Sequence, residues 1–246
     1  MSAVLSCHNL TVKFGGFTAV SGLSLDFQEG RTTAIIGPNG AGKTTLINML
    51  SGVLRPTSGQ VLLDGEDITT LRPDQRTRKG IGRSFQIVRV FPEMTVRGNL
   101  RIAAQKSAYR VQPFWKFAGK DKDIEERIEE QMEFLGLVRE ADLDANSLSH
   151  GKQRALELGI TLMGQPRILL LDEPLAGVGH SELNWMTELL ETVRQRCTTI
   201  IIEHNMDAVL KMAEEVVVLV GGKMLVSGSP EEVTSNQEVR RAYLGN

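Results

Sequence analysis

A glycine-rich segment at residues 37–45 lies between a short apolar stretch and a run of residues with helical spacing. It consists of Gly37, Pro38, Asn39, Gly40, Ala41, Gly42, Lys43, Thr44 and Thr45. This is the pattern G-x-x-x-x-G-K-[ST] of a phosphate-binding loop, whose backbone N–H groups and following helix dipole attract phosphate oxygens. We expect Lys43 to reach the β- and γ-phosphates of a nucleotide and Thr44 to bind Mg²⁺. A glycine-rich turn without a ligand is the alternative, and the flanking strand and helix favour the nucleotide.

Segments with strand character alternate with helical segments along most of the chain. Residues 4–14 and 20–27 predict two N-terminal strands, and the apolar run at 168–171 is typical of a strand buried on both faces of a parallel sheet. The predicted fold is an α/β P-loop NTPase core with a mainly parallel sheet, an N-terminal antiparallel β subdomain and an α-helical insertion. We expect one domain over 1–246, with its core at about 1–95 and 155–246 and a helical subdomain at about 96–154. Residues 81–86 predict a strand that ends at Gln86, and 229–243 a single helical tail.

Composition excludes some classes of protein. The net charge is −2, with 28 basic and 30 acidic residues, so there is no overall electrostatic reason to bind nucleic acid. Cys7 and Cys197 are far apart and lack metal-ligand spacing, which predicts buried thiols in a reducing compartment. The start of the chain has no signal-peptide pattern and no apolar run is long enough to span a bilayer, so a membrane process would be served through a partner.

Two stretches carry apolar side chains whose use the sequence leaves open. Phe14, at the turn before Gly15, could stack on an adenine base or be an ordinary core aromatic. A predicted loop after Gln86 would suit either a compact packed loop or a docking surface for another protein. Its apolar residues are Val88, Val90, Phe91, Pro92 and Met94.

Polar residues stand where predicted strands end. Asp172 directly follows the buried strand, at the usual position of the second Mg²⁺ contact in P-loop NTPases. Glu173 is free to polarise an attacking water, His204 could hold that water and the γ-phosphate in line, and Gln86 could complete the Mg²⁺ and water shell. Each has a structural alternative, because strand-end carboxylates can cap the next helix and single histidines are often structural. Their shared position at strand ends favours one site.

This ordered set of residues resembles the nucleotide-binding subunit of an ATP-binding cassette (ABC) transporter, over essentially the whole chain. The set comprises Phe14, the loop at 37–45, Gln86, the segment Leu148, Ser149, His150, Gly151 and Lys152, the strand ending in Asp172 and Glu173, and His204. The resemblance implies an ATPase that binds ATP and Mg²⁺ and is coupled to transmembrane transport. The implied roles are adenine stacking at Phe14, a Q-loop at Gln86, a general base at Glu173 and a switch histidine at His204.

The resemblance also implies a head-to-tail dimer with a second ABC ATPase subunit, either the same chain or a paralogue. Ser149 and the Gly151 N–H of one subunit would contact the γ-phosphate held by the phosphate-binding loop of the other. Neither half alone surrounds the charge that develops on the γ-phosphoryl group, so closure would complete the electrostatic clamp.

The sequence departs from the family pattern at two places. The signature segment resembles L-S-G-G-Q, with His150 in place of the first glycine and Lys152 in place of the glutamine. Ser149 and Gly151 remain, so we expect activity to survive. The loop after the proposed general base has Gly179 where the family commonly has an aspartate, which bears on communication between subunits.

Four features of the sequence are similar to those of the ATPases of bacterial importers of branched-chain or hydrophobic amino acids. These features are residues 14–16, residues 80–83, the insertion before the signature and the tail at 241–245. The L-S-H-G signature also looks like the urea and short-amide branch, and a lipopolysaccharide exporter or a soluble ABC-type scaffold remain alternatives. Import implies transmembrane permease subunits and, indirectly, a periplasmic solute-binding protein, with the chain cytoplasmic and peripheral on the inner face of the cell membrane.

Overall fold

The computed structural model describes residues 3–84, 90–108 and 122–244 of the chain. Contacts divide the chain into two compact units. The strand-rich unit comprises Met1–Arg83, Arg167–Pro174 and Leu190–Asn246, and the helical unit comprises Ser84–Pro166 and Leu175–Leu189.

Strands and helices alternate as the sequence predicts. Within the described ranges the strands are β1 (Ala3–Phe14), β2 (Phe17–Gln28), β3 (Thr32–Ile36), β4 (Ser58–Leu63), β5 (Glu66–Asp67), β6 (Ile81–Arg83), β7 (Ile168–Asp172), β8 (Thr198–Ile202), β9 (Glu215–Val220) and β10 (Lys223–Gly228). The α-helices there are α1 (Lys43–Leu50), α2 (Pro73–Arg78), α3 (Val96–Ala108), α4 (Lys122–Leu135), α5 (His150–Leu162), α6 (His180–Arg194), α7 (Met206–Met212), α8 (Pro230–Ser235) and α9 (Gln237–Leu244).

The strand-rich unit contains two sheets. One has the order β10-β9-β3-β8-β7-β6, in which only the β10–β9 pair is antiparallel. Every residue of β3, β7 and β8 is buried, as the continuous apolar run at 168–171 predicts. The other sheet is antiparallel, with the order β2-β1-β4-β5. The α/β P-loop fold with an N-terminal antiparallel sheet is therefore confirmed.

A buried arginine ties the end of helix α1 to the segment that follows it. Arg76 is 1% exposed, and burial lowers its pKa to about 10. Its Nη1 donates to the carbonyl oxygens of Met49 and Leu50 at 2.7 Å each, where helix carbonyls lack partners within the helix. Further donor groups reach the carbonyl oxygens of Thr69 at 3.0 Å and Leu71 at 3.2 Å.

We expect Arg76→Met to destabilise the fold by about 3 kcal/mol or more, because the change removes the guanidinium donor from four buried or partly buried carbonyl oxygens. The midpoint of thermal unfolding should fall by roughly 5–10 °C for a chain of this size. Arg78→Met is the matched control. The Arg78 side chain is 76% exposed and forms a surface ion pair with Asp74, so its loss should cost less than about 1 kcal/mol. Equal midpoints for the two variants would contradict this role of Arg76.

The helical unit packs α3, α4 and α5 around apolar side chains such as Leu100, Leu135 and Leu156, all fully buried. Helix α3 begins after Thr95, whose Oγ1 accepts the Gly98 N–H at 3.0 Å, as an N-cap does.

Two acidic side chains of α4 form ion pairs with arginines of α3. Glu125 forms a bidentate ion pair with Arg101 of α3, at 2.7 and 2.8 Å, and Glu129 pairs with Arg97. The sequence gives no sign of these partners, because they depend on how α3 and α4 pack.

Two predicted elements differ from the structure. Strand β6 ends at Arg83, the last residue that pairs with β7, and Gln86 lies outside the described residues. The C-terminal tail is two helices rather than one. Asn236 between them is extended, and its Oδ1 accepts the N–H of Glu238 at 2.8 Å, so a polar side chain ends one helix and caps the next.

The structure also bears on the two cysteines and on the length and apolar character of the helices. Cys7 and Cys197 are free and buried, as predicted, and burial raises the pKa of Cys7 to about 12. Among the helices of the described ranges, none combines the length and apolar character needed to cross a bilayer.

Candidate nucleotide site

The parallel sheet brings the predicted segments to one edge. Strand β3 lies next to β8, and β8 next to β7, all in the same direction. Their carboxyl ends therefore deliver the glycine-rich loop after Ile36, Asp172 with Glu173, and the segment after Ile202 to the same edge of the sheet.

The glycine-rich loop has the close backbone packing that its sequence predicts. Gly37 has φ +151°, and a Cβ atom there would lie 2.1 Å from the carbonyl oxygen of Leu219, so only glycine fits. The Ala41 N–H donates to the Pro38 carbonyl oxygen at 3.1 Å, and helix α1 begins at Lys43 directly after the loop. The loop thus ends at a helix N-terminus, which is suited to an anion.

Lys43 lies inside this loop. Its side chain is buried, and Nζ donates to the carbonyl oxygens of Gly37 at 2.7 Å and Pro38 at 3.1 Å. Burial lowers the pKa of Lys43, and the negative charges of Glu173 and Asp172 offset part of that shift. The ammonium group is therefore held across the mouth of the loop, near two carboxylates.

Asp172 is the buried carboxylate of the site. It is 1% exposed, and burial raises its pKa, against the effect of the Arg83 charge. Its Oδ1 lies 3.5 Å from Thr44 Oγ1, and its Oδ2, with Arg83 Nη2 at 3.7 Å, has no hydrogen-bond donor among the residues that the structure describes. A buried acceptor oxygen without a donor, beside a hydroxyl oxygen, is a ligand set suited to a hard divalent cation.

Glu173 and His204 form a pair at the same edge. His204 Nε2 lies 2.9 Å from Glu173 Oε1, within hydrogen-bond distance. Glu173 has φ +54°, a left-handed conformation that is strained for a residue with a side chain, and its N–H donates to Ile202 O at 2.9 Å. The sheet fixes this backbone in a costly conformation at the residue that the sequence singles out.

Phe14 lies at the hairpin between β1 and β2, opposite Phe17. It is 52% exposed, so the alternative of an ordinary core aromatic is wrong. The exposed ring is available to a ligand or to another chain.

The predicted signature segment belongs to the helical unit. Ser149 is the N-cap of α5, and its Oγ accepts the Lys152 N–H at 3.4 Å. Gly151 is buried in the first turn, and the Lys152 side chain donates to Glu140 at 2.6 Å. The structure thus uses Lys152, one of the departures from the family pattern, in an ion pair within the same unit.

Not every predicted residue can be placed. Gln86 lies outside the described residues, and so does the segment 109–120, where the sequence concentrates aromatic and basic residues. Of the apolar loop after Gln86, the described part begins at Val90. Phe91 is exposed there, and Asn99 holds the backbone by exchanging hydrogen bonds with Phe91 at 2.8 and 3.0 Å.

Sequence reasoning assigned no role to three residues that position these groups. Arg83 donates to Ser51 Oγ at 2.7 Å and lies beside Asp172. Glu203 accepts the N–H groups of His204 and Asn205 at 2.8 and 3.1 Å, which fixes the backbone after β8. Glu182 accepts the Ser149 hydroxyl at 2.6 Å. The carboxylate at the end of a buried strand could have signalled Glu203, but the partners of Arg83 and Glu182 follow only from packing.

The mainly parallel sheet, the glycine-rich loop before a helix and the carboxylates at neighbouring strand ends define a P-loop nucleotide-binding domain. Solved structures have the same fold. The chain is similar to a nucleotide-free ATP-binding cassette from an ABC transporter, with TM-score 0.85 and 31% identity over 99% of this chain and 100% of that one. It is equally similar to a cassette in its ADP conformation, with TM-score 0.85, 31% identity and full coverage of both chains.

Sequence comparisons give the family. Residues 20–176 match the family model described as ABC transporter, and residues 223–246 match the one described as branched-chain amino acid ATP-binding cassette transporter. The high-affinity branched-chain amino acid transport ATP-binding protein BraF of Pseudomonas aeruginosa is 38% identical over 249 residues, 98% of each chain. The corresponding protein LivG of Escherichia coli is 37% identical over 251 residues, again 98% of each chain. The chain belongs to the ABC transporter family.

Proposed function

We propose that this chain hydrolyses ATP at the sheet edge described above and so powers an importer of branched-chain or hydrophobic amino acids. The observation that carries the ATPase part is the Glu173–His204 pair, 2.9 Å apart, at the same edge as the buried Lys43. Backbone N–H groups of the loop and Lys43 would bind the β- and γ-phosphates. Glu173 would take the proton of the attacking water, and His204 would orient Glu173 and the γ-phosphate.

The residues present fit Mg²⁺. Thr44 Oγ1 and the buried Asp172 carboxylate are oxygen donors, and within the described ranges Asp172 Oδ2 has no competing hydrogen bond. Gln86 is a further proposed contact. When bound, Mg²⁺ would neutralise charge on the phosphates. Arg83 keeps the Asp172 carboxylate in place beside the loop.

The reacting site is proposed to be shared between two chains. Ser149 and the Gly151 N–H of one chain would contact the γ-phosphate held by the loop of the other. Each chain carries both a phosphate-binding loop and a signature segment, so two copies, or this chain and a paralogue, can complete two sites.

The solute and the other partners are proposed from the relatives, whose names state branched-chain amino acid transport. The chain would act on the inner face of the cell membrane with permease subunits and, indirectly, a periplasmic solute-binding protein. Uptake tests this part. Cells that depend on this chain should lose most transport of labelled leucine when it carries Glu173→Gln, and uptake of labelled urea should not change. The reverse pattern would place the chain in the urea branch.

Phe14 is proposed to stack on the adenine base. We expect Phe14→Ala to weaken ATP binding about tenfold, since stacking of a base on an aromatic ring contributes about 1–3 kcal/mol. Binding of a fluorescent ATP analogue measures the effect. Phe17→Ala is the matched control, because this ring is also exposed in the same hairpin and has no assigned role. Equal effects of the two substitutions would contradict the assignment.

A further inference from the structure

The Ser149 hydroxyl, which the proposed reaction needs as a hydrogen-bond donor, already donates to a carboxylate of the same chain. Ser149 Oγ donates to Glu182 Oε1 at 2.6 Å, and the same oxygen atom accepts the Lys152 N–H at 3.4 Å. A serine hydroxyl has a single proton to donate. While Glu182 accepts the hydrogen bond from this hydroxyl, Ser149 cannot donate a hydrogen bond to a phosphate oxygen.

Both oxygens of Glu182 lie against the signature segment. A Cβ atom built on Gly151 would be 2.6 Å from Glu182 Oε2, so the carboxylate fills the space next to this glycine. The backbone of this residue is also held, because the Glu182 N–H in the first turn of α6 donates to the Gly179 carbonyl oxygen at 2.9 Å. Glu182 thus joins the signature segment to the loop that follows Glu173 in the chain.

A second contact joins the same two segments. A Cβ atom built on Gly177 would lie 2.8 Å from Cδ2 of the His150 ring. His150 and Gly179 are two of the three positions where the sequence departs from the family pattern, and Lys152 is the third. Contacts within this chain alone thus join the signature segment to the loop that follows Glu173.

We propose that Glu182 is a positioning residue that accepts the hydrogen bond of the Ser149 hydroxyl until the γ-phosphate bound by a second chain replaces it as the acceptor. The inference rests on the proposed function, in which Ser149 contacts that phosphate. Closure then has two costs at each site: the loss of a charge-assisted hydrogen bond and the approach of two negative groups. The Glu182 carboxylate therefore raises the concentrations of ATP and of protein at which two chains form a closed dimer.

The test compares dimer formation by the full chain carrying Glu173→Gln with that of Glu173→Gln/Glu182→Gln, in saturating ATP, by sedimentation. Glutamine keeps the shape of the side chain and removes its charge. Charge-assisted hydrogen bonds are about twice as strong as neutral ones. We therefore expect the dissociation constant of the dimer to fall about fivefold per site, or about 25-fold for a dimer with two sites. In the chain with Glu173 intact, Glu182→Gln should lower the ATP concentration for half-maximal hydrolysis.

Two further variants exclude a merely structural role. Glu182→Asp keeps the charge and should not tighten the dimer, and Glu130→Gln removes an exposed charge from the same unit and should change nothing. A dimer that is equally tight or weaker with Glu182→Gln would overturn the inference, and so would equal tightening by Glu130→Gln. If Glu173→Gln alone forms no dimer in ATP, while still binding it, the shared site itself fails and the inference fails with it.

Discussion

Glu173→Gln should lower the rate of ATP hydrolysis by about 10²- to 10⁴-fold, the range expected for loss of a general base. Glutamine is similar in shape and cannot take a proton from water. The substitution keeps a side chain of the same shape beside His204 and does not change Lys43, so ATP binding should persist. Steady-state phosphate release and binding of a fluorescent ATP analogue measure the two properties separately. The variant should also accumulate as a closed dimer in ATP.

Glu203→Gln is a matched control for that substitution. Glu203 is the neighbouring strand-end carboxylate, and its Oε2 accepts two backbone N–H groups, which an amide oxygen also accepts. Its effect on hydrolysis should be much smaller than that of Glu173→Gln. Unchanged hydrolysis in Glu173→Gln would remove this residue from the role of base.

Lys43→Ala should weaken ATP binding by about 30-fold or more, because truncation removes a buried cation from charge-assisted contacts with phosphate. The Lys43 ammonium is already desolvated and bonded to loop carbonyls, so it is positioned before nucleotide arrives. The variant should also lose hydrolysis. Titration with the fluorescent ATP analogue measures the affinity.

Lys211→Ala removes the same charge from an exposed position on α7 and should leave affinity unchanged. Full retention of ATP affinity by Lys43→Ala would contradict the assignment of the phosphate-binding loop. The two lysines differ in burial, so the comparison separates a local contact from an effect of net charge.

The position of the candidate nucleotide site could largely be predicted, because its residues follow strands whose carboxyl ends meet at one edge of the sheet. An uninterrupted apolar run identifies a strand buried on both faces, and the polar residue after it must lie at the sheet edge. Asp172 and Glu173 are examples. The strain at Glu173 was not predictable, since its φ of +54° follows from how the sheet holds it.

Pairs that form across elements could not be predicted. Arg76 looks like an ordinary helical arginine in the sequence, and only the fold places it at the end of α1. Glu182 is one acidic residue among many, and its contact with Ser149 depends on how α5 and α6 approach. The sequence does not predict the break at Asn236, because an asparagine side chain caps a helix only where the local backbone conformation allows it.

The central claim is that one chain supplies half of each reacting site, and mixing two inactive variants tests it directly. Lys43→Ala destroys the phosphate-binding loop and keeps the signature segment, and Ser149→Arg does the opposite. Each variant alone should be inactive. In an equal mixture, half of the dimers should contain both variants and have one intact site of two, so hydrolysis should return to about a quarter of the wild-type rate. No recovery, although sedimentation detects mixed dimers in ATP, or full activity of Ser149→Arg alone as a monomer, would contradict the account.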